Sequence, residues 1–382
     1  MARHPQLDIQ VAYCSLQGAE KAMDSQFGVE VAWDIPLLEG YPWLLLPNRA
    51  FRPQVGRFFG LVNPGAWKLI KTGGFDAVVV YTGYFCATFW IAMAASKAHS
   101  VPILFGIDAH EIGPMDKRRW KTPLKRWIWP RLFRLANMVL VPSSGSASLM
   151  RSLGIPAERI ALTPYTVDND WWLHQATCTD RVITRADWGI SPDAFVVLFC
   201  AKLQPWKRPQ DLLKAFAKAN CPGAFLVFAG DGPLRSELVA LTNALGITNH
   251  VRFLGFVNQS KLPGVYRAAD LFVLPSEYEA FGVVVNEAML CGCPVAVSDK
   301  VGARFDLISP ESNGFVFPVG NVEKLVEILR RAHEDRPALQ RMGGAAQTRM
   351  ASWSPTENIE STRAAVVCAV SKRADLSSGA EQ

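Results

Sequence analysis

Two carboxylates, Glu279 and Glu287, stand eight positions apart in "SEYEAFGVVVNEAMLCGCPVAVSD", residues 276–299, an otherwise apolar run. An acid taken out of water is costly unless it is paired or hydrogen-bonded, so each of these two requires a partner. "DLFVLPS" reads as a buried strand and "EYEAFG" as the loop at its carboxyl end. The following helix is expected to start near Phe281, with Glu279 just before it and Glu287 about two turns further on. The N–H groups of Ala280, Phe281 and Gly282 would then form the positive end of a helix, a place for phosphate or sugar oxygens, and Gly282 would let a ligand approach the backbone. A carboxylate beside such a place can accept hydrogen bonds from sugar hydroxyls. Read alone, Glu279 is more simply a helix-capping acid and Glu287 a surface or salt-bridged helical one. In the first half of the chain, "VPILFGIDAHEIG" ends a strand with Asp108 and His110 at its carboxyl end. A histidine there is either structural or aimed at a ligand.

Behind these residues lies a repeating pattern. From residue 194 short apolar runs alternate with amphipathic segments: "AFVVLFCA" before "RPQDLLKAFAKA", "AFLVFAG" before "GPLRSELVALTNALG", "VRFLGFV" before "SKLPGVYRAA", "DLFVLPS" before "FGVVVNEAMLCG", then "PVAVSD". Continuous apolar strands separated by helices predict a parallel sheet covered on both faces, a doubly wound α/β domain. The first half repeats the pattern less regularly through "LDIQVAYC", "DAVVVYTG", "VPILFGID" and "MVLVPSS". A chain of 382 residues is long for one core, and two facing Rossmann-like domains are expected, residues 1–175 and 176–352, with 174–193 as a polar linker. A helix over 353–372, opened by Pro355, crosses back towards the first domain, and 373–382 form a small polar tail. Ligands of such sheets sit outside the carboxyl ends of strands.

Composition narrows the class. With 49% hydrophobic and 19% charged residues the chain is a folded globular one. No apolar run reaches the length of a membrane-spanning helix and no signal-peptide pattern opens the chain, so a cytoplasmic protein is expected. The eight cysteines show no CxxC pair and no histidine at zinc-finger spacing, which favours packed thiols over metal ligands or disulfides. The net charge of +6 is concentrated in residues 117–134, "KRRWKTPLKRWIWPRLFR", with eight basic side chains and no acid. Interleaved tryptophans suit an element lying on an anionic membrane surface. A solvated helix packing its apolar side on the protein and a nucleic-acid groove remain as alternatives, the last the weakest.

The whole string "PSEYEAFGVVVNEAMLCGCPVAVSD" resembles the signature of the retaining glycosyltransferases of family 4, which have the two-domain GT-B fold. "AKLQPWKRPQDLLKAF", "FAGDGP", "FLGFV" and "NGFVFPVGN" resemble further elements of that family in the right order. The resemblance implies transfer of a sugar from a nucleoside diphosphate sugar to a glycan or lipid-linked acceptor with retention of configuration, in polysaccharide or cell-envelope glycan synthesis. The donor is a substrate, and neither cofactor nor metal is implied. Lys202 and Lys207 fall where the family holds the diphosphate, and two cations there would neutralise the leaving group. Lys202 replaces the usual arginine and keeps its charge without the bidentate fork. Arg208 stands where glycine is frequent. Glu287 would accept the ribose hydroxyls, Glu279 and the amides after it would hold the donor sugar, and Phe256 with Val257 would border the base. Gly230 and Gly232 match glycines beside the nucleotide, although a plain strand-to-helix turn accounts for them equally. His110 matches a histidine near the transferred sugar. "TPYTVDNDWW" matches a motif that is mainly architectural.

One departure is expected to matter. Family members begin with a strand, a glycine-rich loop and a helix, whereas "MARHPQLDIQVAYCSLQG" resembles the end of that helix and the second strand. A missing first unit would leave a hydrophobic sheet edge exposed and bears on activity. Two rival functions follow: a non-catalytic nucleotide-sugar-binding protein, and a sugar-nucleotide epimerase of the same architecture.

Overall fold

The apolar run Phe195–Cys200 is buried at every position, and its side chains divide by parity. Val196, Leu198 and Cys200 enter one core, Phe195, Val197 and Phe199 another. That division is what a strand covered on both faces requires. In the computed structural model, which describes residues 1–24, 29–113 and 121–378, this strand is central to a six-stranded parallel sheet. The spatial order is Val251–Gly255, Ala224–Ala229, Phe195–Cys200, Leu271–Leu274, Val295–Ser298 and Gly314–Phe317. In chain order this is 3-2-1-4-5-6, the doubly wound arrangement, and its direction reverses between Phe195–Cys200 and Leu271–Leu274.

The helices covering this sheet are set by local signals. Pro209 opens the helix Pro209–Ala219, which Asn220 ends in the left-handed conformation, and Leu212, Leu213 and Phe216 of that helix enter the second core. The Asn321 side chain accepts from the Lys324 N–H at 2.9 Å and caps Val322–Glu334. At the amino ends of the strands, Asp270 binds Arg181 at 2.5 Å, Arg185 at 2.8 Å and Arg336 at 3.0 Å, and accepts from the Val196 N–H at 2.7 Å. Arg185 is fully buried, and that burial lowers its pKa against the pull of Asp270. The network ties helix Arg181–Asp187 to the sheet.

Chain contacts divide the protein into two compact units: residues 21–35 with 165–355, which carries the six-stranded sheet, and residues 1–20 with 36–164 and 356–382. Where continuous domains 1–175 and 176–352 are expected from the sequence, the contact divisions fall at 164 and 355, and 21–35 groups with the later sheet. The expected linker 174–193 is not a linker. It contains the last turn of helix Asn169–Thr177 and all of Arg181–Asp187, packed through Ala176, Arg185 and Ile190, because the arginines that look polar in sequence are spent on Asp270 and on backbone carbonyls.

The other unit has a four-stranded parallel sheet, Val78–Val80, Ile103–Gly106, Met138–Val141 and Ile160–Leu162, and a separate parallel pair, Val11–Tyr13 with Trp43–Leu45. Trp43 and Leu45 are exposed. Helix Ala87–Ala98 packs Phe89, Met93 and Ala95 on one face of the larger sheet. Helix Pro355–Ser378 brings Ala365 and Ala369 against Leu104, Met138 and Leu140 on the other. Among the described residues no helix is long and apolar enough to cross a membrane. Cys86, Cys200, Cys291 and Cys293 are buried, and Cys178 is exposed.

Candidate functional site

The two strands that flank the reversal of the six-stranded sheet lead into loops 201–208 and 275–283, and these loops are bound to each other. The Glu277 N–H donates to the Trp206 carbonyl at 2.6 Å, and the Lys207 ammonium forms an ion pair with Glu279 Oε1. Ser276 Oγ adds a hydrogen bond to the same carboxylate oxygen at 3.0 Å. The side chains of Lys207 and Glu279 are only 17% and 13% exposed, so the pair is partly shielded from water and its charges are strongly felt by any ligand beside them.

Glu279 is held in place from its other side. Its N–H donates to the Lys300 carbonyl at 3.0 Å, its carbonyl accepts from the Gly302 N–H at 3.0 Å, and the Ala303 N–H donates to the Phe281 carbonyl at 2.7 Å. This parallel bridge with the loop after Val295–Ser298, together with Gly282 at φ +94°, keeps residues 279–282 out of the helix. The helix therefore starts at Val284 rather than near Phe281, and Glu287 lies in its first turn rather than about two turns on. Phe281 is 2% exposed, stacked on Trp353 and edge-on to Tyr165, so that its side chain belongs to the core and only its backbone is available to a ligand. Among the described residues the N–H groups of Ala280, Phe281 and Gly282 donate to no protein acceptor. Three successive amides and an ammonium beside a carboxylate make a place for oxygens of both kinds, anionic ones on the donors and hydroxyl ones on the acid.

Glu287 is 6% exposed and accepts from the Tyr266 hydroxyl at 2.8 Å through Oε2. Burial raises its pKa from 4.5 to about 7, against the downward pull of the Tyr266 bond. The partner that this acid demanded is thus a buried tyrosine, which the sequence did not point out. Its only signal is a tyrosine on the buried side of the helix Leu262–Ala268.

Gly230 and Gly232 follow the strand Ala224–Ala229 with φ of +141° and +154°, and their role in the fold is close packing. A Cβ on Gly230 would lie 2.1 Å from the Ala201 carbonyl oxygen, and one on Gly232 2.7 Å from that of Leu203. The loop after the first strand is thereby locked to the loop after the second, which fixes the backbone that carries Lys202. Arg208 has φ +52°, which explains why glycine suits that position; it pairs with Asp211 at 2.6 Å. Phe256 lies after the third strand with its ring edge-on to Trp33, 5.8 Å between centroids, and Val257 packs on the core. Trp33 is a neighbour that sequence distance concealed.

Asp108 and His110 follow strand Ile103–Gly106 in the other unit. Burial raises the Asp108 pKa, and its carbonyl accepts from Ser146 Oγ at 3.1 Å. Of the basic segment 117–134, residues 117–120 lie outside the described residues. The rest forms helix Lys121–Phe133, which buries Trp129, Leu132 and Phe133 and exposes Leu124 and Trp127. Arg131 lies over the Trp127 ring at 4.3 Å.

Two family models match the chain. Residues 180–349 match the model described as "Glycosyl transferases group 1", and residues 7–166 that described as "Glycosyl transferase 4-like domain". Among curated proteins, an uncharacterized glycosyltransferase of Methanocaldococcus jannaschii is 40% identical over 189 residues, 49% of this chain and 48% of that protein. The D-inositol 3-phosphate glycosyltransferase of Mycolicibacterium smegmatis is 34% identical over 182 residues, 46% of this chain and 41% of that protein. The chain thus matches about half the length of these curated relatives. Among solved structures, Anabaena HepE in complex with UDP superposes with a TM-score of 0.68 at 23% identity, covering 85% of each chain; its complex with UDP-glucose gives 0.65 at 23% identity and the same coverage.

Proposed function

Since the chain belongs to the group 1 glycosyltransferases, with two Rossmann-like domains of the GT-B type, we propose that it moves a sugar from a nucleoside diphosphate sugar to a glycan or lipid-linked acceptor with retention of configuration. The observation that carries this reading is the Lys207–Glu279 pair beside the amides of residues 280–282, which meet no acceptor among the described residues, at the reversal point of the six-stranded sheet. A diphosphate entering there takes Lys207 as its partner, with Lys202 on the same loop adding a second cation. Negative charge grows on the leaving diphosphate as its bond to the sugar breaks, and these cations stabilise it without a metal. Glu279, still held by Ser276, then accepts sugar hydroxyls. Glu287, with Oε2 engaged by Tyr266, meets the ribose through its other oxygen, and Phe256 and Val257 border the base. His110 and Asp108 serve the transferred sugar in this reading. Glycans of the cell envelope or polysaccharides are the products in this reading, and the chain works in the cytoplasm, peripheral to an anionic membrane that its segment 117–134 contacts.

The test is incubation with a panel of nucleotide sugars, scoring free nucleoside diphosphate and product. Release is expected from the native chain, reduced about 100-fold or more by Lys207→Ala and by Glu279→Ala. Donor binding without release would leave a binding protein, and altered sugar still attached to the nucleotide would make the chain an epimerase.

A further inference from the structure

Residues 48–62 form a closed loop after strand Trp43–Leu45, and one asparagine clamps its ends. Asn48 Nδ2 donates to the Gly60 carbonyl at 2.9 Å, and Oδ1 accepts from the N–H of Val62 at 2.9 Å and of Ala50 at 3.1 Å. The Arg49 N–H donates to the Val62 carbonyl at 2.8 Å. Inside the loop the Gln54 N–H donates to the Gly60 carbonyl at 3.2 Å, and a Cβ on Gly60 would lie 1.9 Å from the Gln54 oxygen, so glycine is what lets the two limbs close. A loop braced in this way holds its tip in one shape.

The tip is apolar and faces water. Phe51 is 94% exposed, Phe59 74%, Val55 49% and Phe58 44%. Side chains of this kind in one short loop cost solubility unless something covers them. What they are mixed with identifies the cover: Arg52 and Arg57 stand among them, and residues 40–75 carry five basic side chains and no acid. The adjoining helix Gly65–Thr72 exposes Trp67 together with Lys68 and Lys71. Between the phenylalanines and the two arginines opens a shallow hollow of about 330 Å³. That is at the small end of ligand-pocket sizes, about 300 Å³, and it sets phenylalanine rings beside two cations, the pairing that a lipid chain end and its phosphate call for.

We propose that the loop 48–62 is the element through which the protein docks on an anionic lipid bilayer. Phe51, Phe58 and Phe59 enter the boundary between headgroups and acyl chains, and Arg52, Arg57 and the lysines of the adjoining helix meet lipid phosphates. This rests on the membrane contact included in the function proposed above, and moves its principal contact from segment 117–134 to another element. In helix Lys121–Phe133 three of the large apolar side chains are turned into the core, whereas those of the loop tip are turned out.

The test is sedimentation with vesicles of phosphatidylcholine alone and of phosphatidylcholine with 30 mol% phosphatidylglycerol, about physiological surface charge. The full chain is compared with F51S/F59S, R52E/R57E and L124S/W127S, with circular dichroism, gel filtration and donor turnover in vesicle-free buffer measured on each. The expected result is binding of the native chain to the anionic vesicles, weakened about tenfold or more by F51S/F59S and by R52E/R57E and little changed by L124S/W127S. Donor turnover in vesicle-free buffer stays at the native level in both loop variants. Loss of binding in L124S/W127S with full binding by F51S/F59S overturns the loop assignment while leaving the membrane contact standing. No vesicle binding by the native chain removes both, whatever its donor turnover. A fall in oligomeric state in F51S/F59S with vesicle binding unchanged would show the tip to be a contact between copies, and also overturns the inference.

Discussion

Replacing Glu287 by glutamine tests whether this acid is a structural cost retained for ligand binding. The carboxyl is 6% exposed and accepts a hydrogen bond from Tyr266, and burial holds its pKa near 7 against 4.5 for the free group. The folded state therefore keeps the proton where the unfolded chain has lost it. Between pH 4.5 and 7 unfolding releases protons, so the stability contributed by this site falls as pH rises, and the fall is complete above pH 7. The gap between the two pKa values corresponds to about 3 kcal/mol. A glutamine in its place would keep the shape and an acceptor for the Tyr266 hydroxyl but carries no charge at any pH. Urea unfolding at pH 5 and pH 8, followed by circular dichroism, should show E287Q close to the native chain at the lower pH and more stable by up to about 3 kcal/mol at the higher. The same variant should lose donor affinity, because an amide cannot offer a ribose the charged acceptor. Equal effects at both pH values, or a loss of stability confined to pH 8, would refute the assignment of Glu287 as a buried, reluctantly ionised acid.

Asp270→Asn leaves the fully buried Arg185 without its counter-charge and should lower stability by about 3–5 kcal/mol in urea unfolding, with little relief from added salt. Gly230→Ala sets a methyl 2.1 Å from the Ala201 oxygen at φ +141°, and should cost at least about 2 kcal/mol and lower the yield of folded protein. Arg208→Gly relieves a left-handed conformation while losing the pair with Asp211, so its melting temperature should correspond to a change within about 1 kcal/mol. Arg208→Val loses the pair and keeps the strain, and should be clearly less stable by the same measurement.

The strands of the six-stranded sheet were legible because each is an apolar run bounded by turn residues, and every run named from the sequence contains one of them, Phe195–Cys200 through Val295–Ser298. A buried parallel strand needs no alternation and no knowledge of its neighbours to be seen. What escaped notice depends on contacts between distant residues. The helix after Glu279 starts late because Lys300, Gly302 and Ala303 bind the backbone of residues 279 and 281, and nothing in "EAFGVVV" records that bridge. Strand Trp43–Leu45, the partner of Val11–Tyr13 in the named run "LDIQVAYC", is three residues long, below the length at which a pattern separates from chance. Residues 32–34 join the later sheet's unit through polar bonds that span most of the chain. The Asn258 Nδ2 donates to the Ala32 carbonyl at 2.7 Å, and the Ser260 N–H to Asp34 at 3.1 Å. No local signal in either segment announces the other.

The site shows the same division. Lys207 and Glu279 were named separately, one as a partner of phosphate and the other of sugar, and the fold brings them into one ion pair. That pairing follows from topology alone. In a 3-2-1-4-5-6 sheet the first and fourth strands are neighbours, so the loops that leave their carboxyl ends must meet, although 72 positions separate the two residues. A cation and a carboxylate placed on those two loops have little choice but to neutralise each other until a ligand with phosphate at one end and hydroxyls at the other separates them. An arrangement that is electrically closed when empty also limits the cost of holding both charges in a partly buried place. It makes the donor's two chemical ends the natural key to the site, so Lys207→Ala should weaken binding of a nucleoside diphosphate more than Glu279→Ala does. Glu279→Ala in turn should reduce the advantage of the full nucleotide sugar over the bare diphosphate. Titration of both ligands into both variants by calorimetry checks this crossed pattern, and equal losses for both ligands in both variants would mean that the pair acts only as a brace between the loops.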